Sequence, residues 1–472
     1  MDFIYIGQDV RFILICLFTI STYNIIVANY FKNHTLGKRI LTNKKKYLMF
    51  DVFSWFEQQT NLINTQQKNV NKMRSENIIS GNSRVVRNIN RSMILNLIRN
   101  KQPISRSNIA KLTGLNKSTV SSIVSDLLIE ELVYEEAKVD QNVGRNPIDL
   151  SLLLGKNIVG AFSIDAALTR FAIADIDGSV LGISSIATEP QNPDEFIKKC
   201  LQEIKSLCKQ LKINGLRGLG VSIAGIVDSK YLKVNYAPNL GWEDYDIGAS
   251  IKKLWPELKI LAVENDAKSS ATAELWFGTH GINLSNFVFL EIGPGIGSGI
   301  VVGNRIMDGE FHASGEVGHM IIYEGGELCN CGNHGCWERY ASDRATVKRY
   351  IARKFTSEEQ AGTLTIDDII EKASTGDLVA LEVLKQTGNY LGIGIANIIK
   401  ALDPHAIILG GRIIQAWDII YPEIIQIVKK RAFHGEKKKI IILPTSLKVR
   451  PRLLGAATLA IKEIFDDYKI TI

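Results

Sequence analysis

The chain has 472 residues, and its 56 Lys and Arg against 49 Asp and Glu give a net charge of +7. That length exceeds one compact core and indicates two or three domains. Apolar residues make up 46% of the chain and charged residues 22%, which excludes a largely disordered protein. Six cysteines are too few for a disulfide scaffold of this size.

The positive charge is concentrated in the first third of the chain. Residues 1–150 carry 20 basic and 12 acidic side chains, a net of +8, whereas the other 322 carry 36 and 37, a net of −1. Residues 81–120 contain eight basic side chains and no acid. Such a segment suits a polyanionic partner, although a solvated face on an ordinary helical region has the same composition.

The N-terminus has an unusual apolar stretch. Residues 12–31 contain no charge and fifteen apolar side chains, enough to span a bilayer. Asn24 and Asn29 weaken a membrane span, and no cleavage site supports a secretory signal. We predict that translation starts near Met73 and that residues 1–72 are an over-extended start. A membrane anchor or a packed accessory segment is the alternative.

Two helices are predicted in the basic segment. The first begins at Asn90, ends before Pro103, and has apolar side chains at helical spacing, namely Met93, Ile94, Leu97 and Ile98. Ser105 or Ser107 can cap the second helix by accepting a bond from a free backbone N–H. Gly114 then suits the left-handed conformation of a tight turn between helices.

A third helix, capped by Asn116 or Ser118, completes a helix-turn-helix pattern, and its predicted buried face is Val120, Ile123, Val124 and Leu127. Two short strands over residues 132–150 predict a wing. Short polar side chains on the third helix suit phosphates and base edges, and an Arg in a wing suits a minor groove. We predict DNA contacts from Ser105, Arg106, Lys117, Ser118, Thr119, Ser121, Ser122 and Arg145. The structural alternative is a three-helix protein-interaction domain.

A cysteine-rich loop follows in the second half of the chain. Cys329, Cys331 and Cys336 form a C-x-C-x4-C pattern, with His319 ten residues before the first thiol. Three thiolates and one imidazole fill a tetrahedral zinc shell and leave no position for water, so the predicted zinc is structural. His334 inside the loop is a rival fourth ligand, and reduced free thiols are the alternative to a metal site.

Strands and helices alternate beyond residue 153, which predicts an α/β architecture. Residues 158–181 predict a hairpin with Asp177 and Gly178 at its turn. Glu264, Asn265 and Asp266 end a predicted strand, where polar groups commonly face a ligand crevice and suit a polyhydroxyl ligand. A polar turn with helix caps gives the same tripeptide.

The chain carries, in order, NRSMILNLIRNKQPISRSNIAKLTGLNKSTVSSIV, GRNP, GVSIAGIVD, APNLGW, ENDA, GPGIGSGIV, GEVGHM, CNCGNHGCWE, DPHAIILGG and RLLGAATLA. In these motifs it resembles the ROK family of repressors and sugar kinases, and more narrowly the xylose-operon repressors. The resemblance implies an N-terminal winged helix-turn-helix and a two-lobed actin-like, ribonuclease-H-like sugar kinase fold. The expected divisions are an extension over 1–80, a DNA-binding domain over 81–152 and a sugar-binding domain over 153–472.

The resemblance also implies roles for single residues. Sugar hydroxyls would be bound by Asn265, Asp266, Glu316, His319 and Glu338, with Gly225 and Asn239 at the cleft wall. Asp266 matches the general base of the kinases, and His319 would also be a zinc ligand. Zinc would then hold His319 and the Glu338 loop in sugar-binding geometry.

One motif separates the two activities of the family. The kinases carry an Asp-Gly-Gly-Thr turn whose backbone approaches ATP phosphates, but this chain has Asp165, Ala166, Ala167 and Leu168 there. The added Cβ atoms and the lost hydroxyl argue against phosphotransfer, so no catalytic residue is predicted. The expected function is a cytoplasmic, sugar-responsive repressor that binds operator DNA as a homodimer or higher oligomer. The expected effector is xylose, to which the resemblance points. A sugar kinase with a vestigial helix-turn-helix and a membrane-tethered sensor are the alternatives.

Overall fold

The computed structural model describes residues 83–137, 148–280, 284–356, 363–432 and 441–466. Among the helices of these segments, none combines the length and the apolar character that crossing a membrane requires. The apolar stretch over 12–31, Met73 and the predicted wing residue Arg145 lie outside the described residues.

The N-terminal part of the described chain, here called the head, contains three helices and a small sheet. These elements are α1 (Ser83–Lys101), β1 (Ile104–Ser105), α2 (Arg106–Thr113), α3 (Lys117–Ile129), β2 (Val133–Ala137) and β3 (Ile148–Leu152). The antiparallel strands have the order β1-β3-β2. This element order is that of a winged helix-turn-helix.

Local chemistry sets the boundaries of the two short helices. The Ser105 hydroxyl accepts a bond from the Asn108 N–H and caps α2, whereas Asn116 caps α3. Gly114 ends α2 with a φ of 72°, as its position in a tight turn requires. The predicted caps Ser107 and Ser118 are not the ones used.

The buried side chains of the head belong to a hydrophobic cluster that continues beyond the head to Val159 and to Leu453 near the C-terminus. Ile94, Leu95 and Ile98 of α1 are fully buried, whereas Met93, predicted on the apolar face, is 38% exposed. The helix also begins at Ser83 rather than at the predicted Asn90, and it turns Leu95 rather than Met93 inward. Val120, Ile123, Val124 and Leu127 of α3 are buried against it, as predicted.

The body contains two five-stranded sheets. The first sheet has the order β11-β7-β4-β5-β6. Its strands are β4 (Val159–Ile164), β5 (Leu168–Ala174), β6 (Val180–Ala187), β7 (Gly218–Ile223) and β11 (Ile260–Asn265). A separate three-stranded sheet joins β8 (Ile226–Asp228), β9 (Lys233–Ala237) and β10 (Trp242–Tyr245), and the helices are α4 (Pro193–Gln210) and α5 (Ile247–Leu254).

The predicted hairpin over 158–181 is a three-stranded meander. Gly178 lies in the turn between β5 and β6, but the chain also reverses earlier, at Asp165. Residue composition marked only the turn at Gly178, because Asp165-Ala166-Ala167 lacks the Gly or Asn that normally marks a tight hairpin. The resemblance to the kinase turn is what placed a turn at Asp165.

The second sheet has the order β14-β13-β12-β15-β16. Its strands are β12 (Phe287–Ile292), β13 (Ile296–Val302), β14 (Arg305–Ile306), β15 (Ala406–Gly411) and β16 (Ile441–Pro444). The accompanying helices are α7 (Glu338–Ala341), α8 (Asp343–Lys354), α9 (Ile366–Ser374), α10 (Leu378–Leu402) and α11 (Trp417–Arg431), with 3-10 turns at Val317–His319 and Arg412–Ala416.

Two helices connect the sheets. The C-terminal helix α12 (Pro451–Phe465) lies on the first sheet, α6 (Asp266–Phe277) lies on β12 and β13 of the second, and the two helices contact each other. Glycine permits the close approach, because a Cβ at Gly299 of β13 would lie 2.3 Å from the Cβ of Ala271 in α6. Any residue larger than glycine at position 299 would therefore collide with α6.

The head docks on the ends of these two helices. The Arg99 guanidinium lies 3.9 Å above the Trp276 ring and donates to the Trp276 carbonyl over 3.0 Å. Ser92 donates to Asp466 just beyond α12, also over 3.0 Å. Burial lowers the pKa of Arg99 to about 10, so this side chain stays charged at neutral pH.

Candidate functional site: a thiol cluster beside a polar cleft

The structure brings together the four predicted metal ligands. The ligand atoms of His319, Cys329, Cys331 and Cys336 all lie within 4.8 Å of one another. Cys331 Sγ is 3.6 Å from Cys336 Sγ, and Cys329 Sγ is 3.6 Å from His319 Nδ1. Ligands of tetrahedral zinc, with bonds of about 2.0–2.3 Å, are separated by about 3.5–3.8 Å, so this set fits zinc.

A tight hairpin loop presents the three thiols. The Cys329 N–H donates to the Asn333 carbonyl, and Gly332 adopts a φ of 89° within that turn. Gly335 has a φ of 79°, and a Cβ there would lie only 1.7 Å from the Tyr323 carbonyl oxygen. The loop thus depends on glycine at both positions, as the sequence pattern indicated.

The thiols differ in their readiness to ionise. Burial raises the pKa of Cys329 to about 12 and also raises that of Cys336. At Cys331 burial acts in the same direction, but the Asn333 N–H and the neighbouring thiols donate to its sulfur and lower its pKa to about 7. Cys331 is therefore the thiol that first offers an anionic ligand to a metal.

His319 and not His334 faces the thiols. His334 is exposed, and its Nδ1 lies 2.9 Å from the Gly326 carbonyl oxygen. His319 directs Nδ1 toward Cys329, while its Nε2 lies 3.8 Å from Glu316 Oε2. A carboxylate near the second ring nitrogen orients a metal-binding imidazole.

Glu338 lies between the thiol cluster and the glycine-rich turn at Gly295. The Cys329 thiol donates to Glu338 Oε1 over 3.2 Å, and Glu338 Oε2 would lie 2.7 Å from a Cβ at Gly295. The preceding Trp337 is fully buried, and its indole N–H donates to the Tyr390 carbonyl over 2.8 Å. This anchor was not predicted, and its signal in the sequence is a large aromatic residue directly after Cys336.

Asn265 and Asp266 begin α6 at the carboxyl end of β11. The Asn265 amide donates to the Gly225 carbonyl over 2.9 Å, and its oxygen accepts from the N–H groups of Ala267 and Lys268. Asp266 is 8% exposed and accepts from the Ala267 N–H. Asn265 thus caps the helix, as the alternative to a ligand site predicted, and Asp266 is the first residue of the helix at the same sheet edge.

A buried ion-pair network fixes the segment that leads to Glu316. Lys268 is 2% exposed and donates to Asp308 Oδ1 over 2.5 Å and to the His312 carbonyl over 3.0 Å. His312 in turn pairs with Asp308 and with Asp228. This network was not predicted, because its members are spread over the chain. Its signal in the sequence is Lys268, which stands among small residues in α6.

Arg452 at the start of α12 contacts three carboxylates. It lies 3.2 Å from Asp165 Oδ2, 3.2 Å from Asp266 Oδ2 and 3.1 Å from Glu291 Oε1. Asp343 lies near the same cluster, and burial together with Glu291 raises its pKa to about 7. Arg452 belongs to the RLLGAATLA motif, in which no neighbouring residue signals its role.

In the turn that separates the two family activities, one backbone N–H is bonded within the turn itself. Asp165 Oδ1 accepts from the Ala166 N–H over 2.7 Å, and the Thr188 N–H donates to the Ala167 carbonyl. The Asp165 carboxylate is therefore divided between its own turn and Arg452.

The predicted DNA contacts fall into two groups. Lys117, Ser118, Ser121 and Ser122 are exposed on α3, and Thr119 is half-buried beside them. Ser105 is 9% exposed and serves as the cap of α2, while Arg106 forms an ion pair with Glu135 of β2. Arg87 was not predicted, yet it is exposed beside this face and donates to Ser122 over 3.0 Å.

The ROK family model matches residues 161–463. This chain belongs to the ROK family. A xylose repressor from Bacillus spizizenii is 32% identical over 389 residues, which cover 82% of this chain and 98% of the repressor. The ROK resemblance inferred from the motifs is thus confirmed.

Solved ROK structures include both activities. A ROK family transcriptional regulator, described as a homologue of E. coli MLC, has a TM-score of 0.70 at 27% identity and covers 81% of this chain and 97% of its own. A ROK glucokinase from Streptomyces griseus, solved with glucose and AMPPNP, has a TM-score of 0.58 at 27% identity, covering 65% and 100%. The kinase aligns with a smaller part of the chain, whereas the regulator spans most of it, and the predicted two-lobed α/β fold is confirmed.

Proposed function

We propose that this ROK protein is a sugar-responsive transcriptional repressor, with xylose as its favoured effector. The supporting observation is the similarity to almost the full length of xylose repressors, which covers 82% of this chain. That share is too large for the sugar-kinase-like body alone and includes a head with helix-turn-helix element order. The domain divisions at residues 80 and 152 belong to this proposal. Reading an operator places the protein in the cytoplasm, and a homodimer would present two heads to a pseudo-palindromic site.

The proposed sugar site combines Asn265, Asp266, Glu316, His319 and Glu338. Charged and amide groups suit a polyol, because each hydroxyl is both donor and acceptor. The proposed metal is a structural zinc ion held by His319 and the three thiols. Zinc supplies no chemistry here beyond fixing His319 and Glu338, since four protein ligands leave no open position.

The proposed DNA face centres on α3. Lys117, Ser118, Thr119, Ser121 and Ser122 are the side chains that a major groove would meet, and Arg145 is the proposed wing contact. Ser105 and Arg106 would stabilise this face. Ser105 caps α2, and Arg106 joins α2 to the wing strand β2 through its ion pair with Glu135.

Sugar and DNA binding would be coupled through α6. This helix starts at Asp266 in the proposed sugar site, and its last turn carries Trp276, on which Arg99 of the head stacks. Sugar that binds one arrangement of the sheets more tightly would shift α6 and hence the head. The change in DNA affinity is limited to that difference, typically ~1–3 kcal/mol per coupled site.

A gel shift with the DNA upstream of the protein's own gene tests the function. We expect a band that weakens by about 5–150-fold in affinity when xylose is added. A panel with glucose and other pentoses identifies the effector. A band that no pentose or hexose alters, or no band at all, would refute the repressor.

The protein is not expected to phosphorylate sugar, because the Asp165–Leu168 turn lacks both glycines and the threonine of the kinases. Purified protein with Mg-ATP and xylose or glucose should show no turnover in a coupled assay. A kcat near ~1 s⁻¹ or above would make the kinase alternative correct.

Replacing Lys117 tests the DNA face. The Lys117→Gln variant should bind operator more weakly, and the slope of log affinity against log salt should decrease in magnitude by about 0.9, because one phosphate contact is lost. Fluorescence anisotropy at several salt concentrations measures both quantities. The control is Lys429→Gln on α11, which is equally exposed but belongs to the body. Identical slopes for Lys117→Gln and wild type would exclude this face.

A further inference from the structure

Arg452 connects the two sheets of the body through carboxylates. Asp165 directly follows β4 and Asp266 follows β11, both in the first sheet, whereas Glu291 belongs to β12 of the second. One guanidinium lies within 3.2 Å of an oxygen of each. Two of its partners therefore come from one sheet and the third from the other, at the edge that carries Asp266.

Three carboxylates touch the Arg452 guanidinium, and Arg170 lies close enough to interact with Asp165 and with Arg452. Glu291 is 6% exposed, and its Oε2 has no hydrogen-bond partner among the described residues. An unpaired carboxylate oxygen in such a position is costly, since it has lost its water without a replacement. Glu291 Oε2 is thus a buried acceptor that Arg452 leaves unsatisfied.

The backbone around Arg452 holds the guanidinium in place. The Ser222 hydroxyl donates to the Arg452 carbonyl over 3.2 Å. One turn later the helix touches the first sheet directly, because a Cβ at Gly220 would lie 1.7 Å from the Ala456 carbonyl oxygen. On the other side, Arg452 Nη2 would lie 3.0 Å from a Cβ at Gly293. These contacts fix the backbone from which the guanidinium extends toward the carboxylates.

We propose that Arg452 is a built-in cation that takes the place of a divalent metal ion among Asp165, Asp266 and Glu291, and that it positions Asp266 for the sugar. Converging carboxylates are the ligands that Mg²⁺ and Mn²⁺ prefer, and a fixed guanidinium excludes such an ion by charge and by volume. The protein thereby binds a sugar at Asp266 without admitting a metal-bound phosphate donor. The positioning of Asp266 for a sugar rests on the proposed function, whereas the exclusion of a divalent ion does not.

The test compares Arg452→Gln with Arg452→Lys in the full chain, with zinc retained. Mn²⁺ binding is followed by the loss of its electron paramagnetic resonance signal. We expect no binding by wild type or Arg452→Lys, and binding by Arg452→Gln with a Kd below about 1 mM. Mn²⁺ should also raise the melting temperature of Arg452→Gln alone, because it binds the folded state. The additional change Asp165→Asn should weaken this new Mn²⁺ site.

Sugar affinity, measured by calorimetry, provides the second readout. Arg452→Gln should bind sugar at least ~10-fold more weakly and recover in part with Mn²⁺, whereas Arg452→Lys should stay within ~3-fold of wild type. A folded Arg452→Gln that binds no Mn²⁺, or a wild type that binds it equally, overturns the inference. If Arg452→Gln does not fold, a loss of more than ~10-fold in Arg452→Lys overturns it and retention supports it. If wild type binds no sugar, the proposed function fails, and Mn²⁺ binding still decides the role of the cation.

Discussion

Cys331→Ser should remove the metal and, with it, most of the sugar affinity. The side chain is exposed, so the substitution disturbs little besides the ligand set. Its thiol has the lowest pKa of the three, about 7, and is the first to become an anionic ligand. We expect substoichiometric zinc by atomic emission and sugar binding weakened by about 10–100-fold, since His319 and Glu338 lose the ion that orients them.

Cys208→Ser is the matched control. Cys208 is a buried thiol on α4 that takes no part in the thiol cluster, so its variant should keep both zinc and sugar affinity even if it is less stable. Chelation by EDTA should lower the melting temperature of wild type and of Cys208→Ser, but not that of Cys331→Ser. Full zinc occupancy and unchanged sugar binding in Cys331→Ser would refute the ligand set.

Arg99→Met should separate sugar binding from DNA release. Met keeps an apolar stem on the Trp276 ring but removes the cation and the donor to the Trp276 carbonyl. We expect sugar and operator each to bind within ~3-fold of wild type, while the ~5–150-fold effect of sugar on operator affinity falls below ~3-fold. Anisotropy titrations with and without sugar measure all of these affinities.

Arg431→Met controls for the loss of one positive charge. This exposed residue ends α11 in the body, and its variant should retain the full sugar effect on operator binding. If Arg99→Met still releases operator on sugar addition as wild type does, the route through α6 is wrong, although the repressor itself would stand.

Much of the fold follows from local sequence. The Asn116 cap, the Gly114 turn and the periodic Val120 and Ile123 predicted α3 correctly, because short-range hydrogen bonding and amphipathic spacing determine such a helix. The Cys pattern likewise placed the thiols together, since their spacing alone allows a tight loop. The turn at Asp165 could not be predicted from residue composition, because it has no standard hairpin residues.

Long-range partners were beyond sequence reasoning. Arg452 meets Asp165 across 287 positions of the chain, and only the assembled sheets bring them together. Arg99 lies in a basic segment that suits DNA, yet the structure buries it against Trp276 of the body. Charge composition could not separate a cation that faces DNA from one that docks the head, because both contribute equally to the count.

The close packing of β13 on α6 has a mechanical consequence. Gly299 has no side chain and Ala271 has only a methyl group, so no side-chain rotamer change at this contact can absorb a displacement of one element relative to the other. A longer side chain between them could change its rotamer and take up part of such a displacement. A shift of β13 would therefore act directly on α6, the helix that carries Trp276.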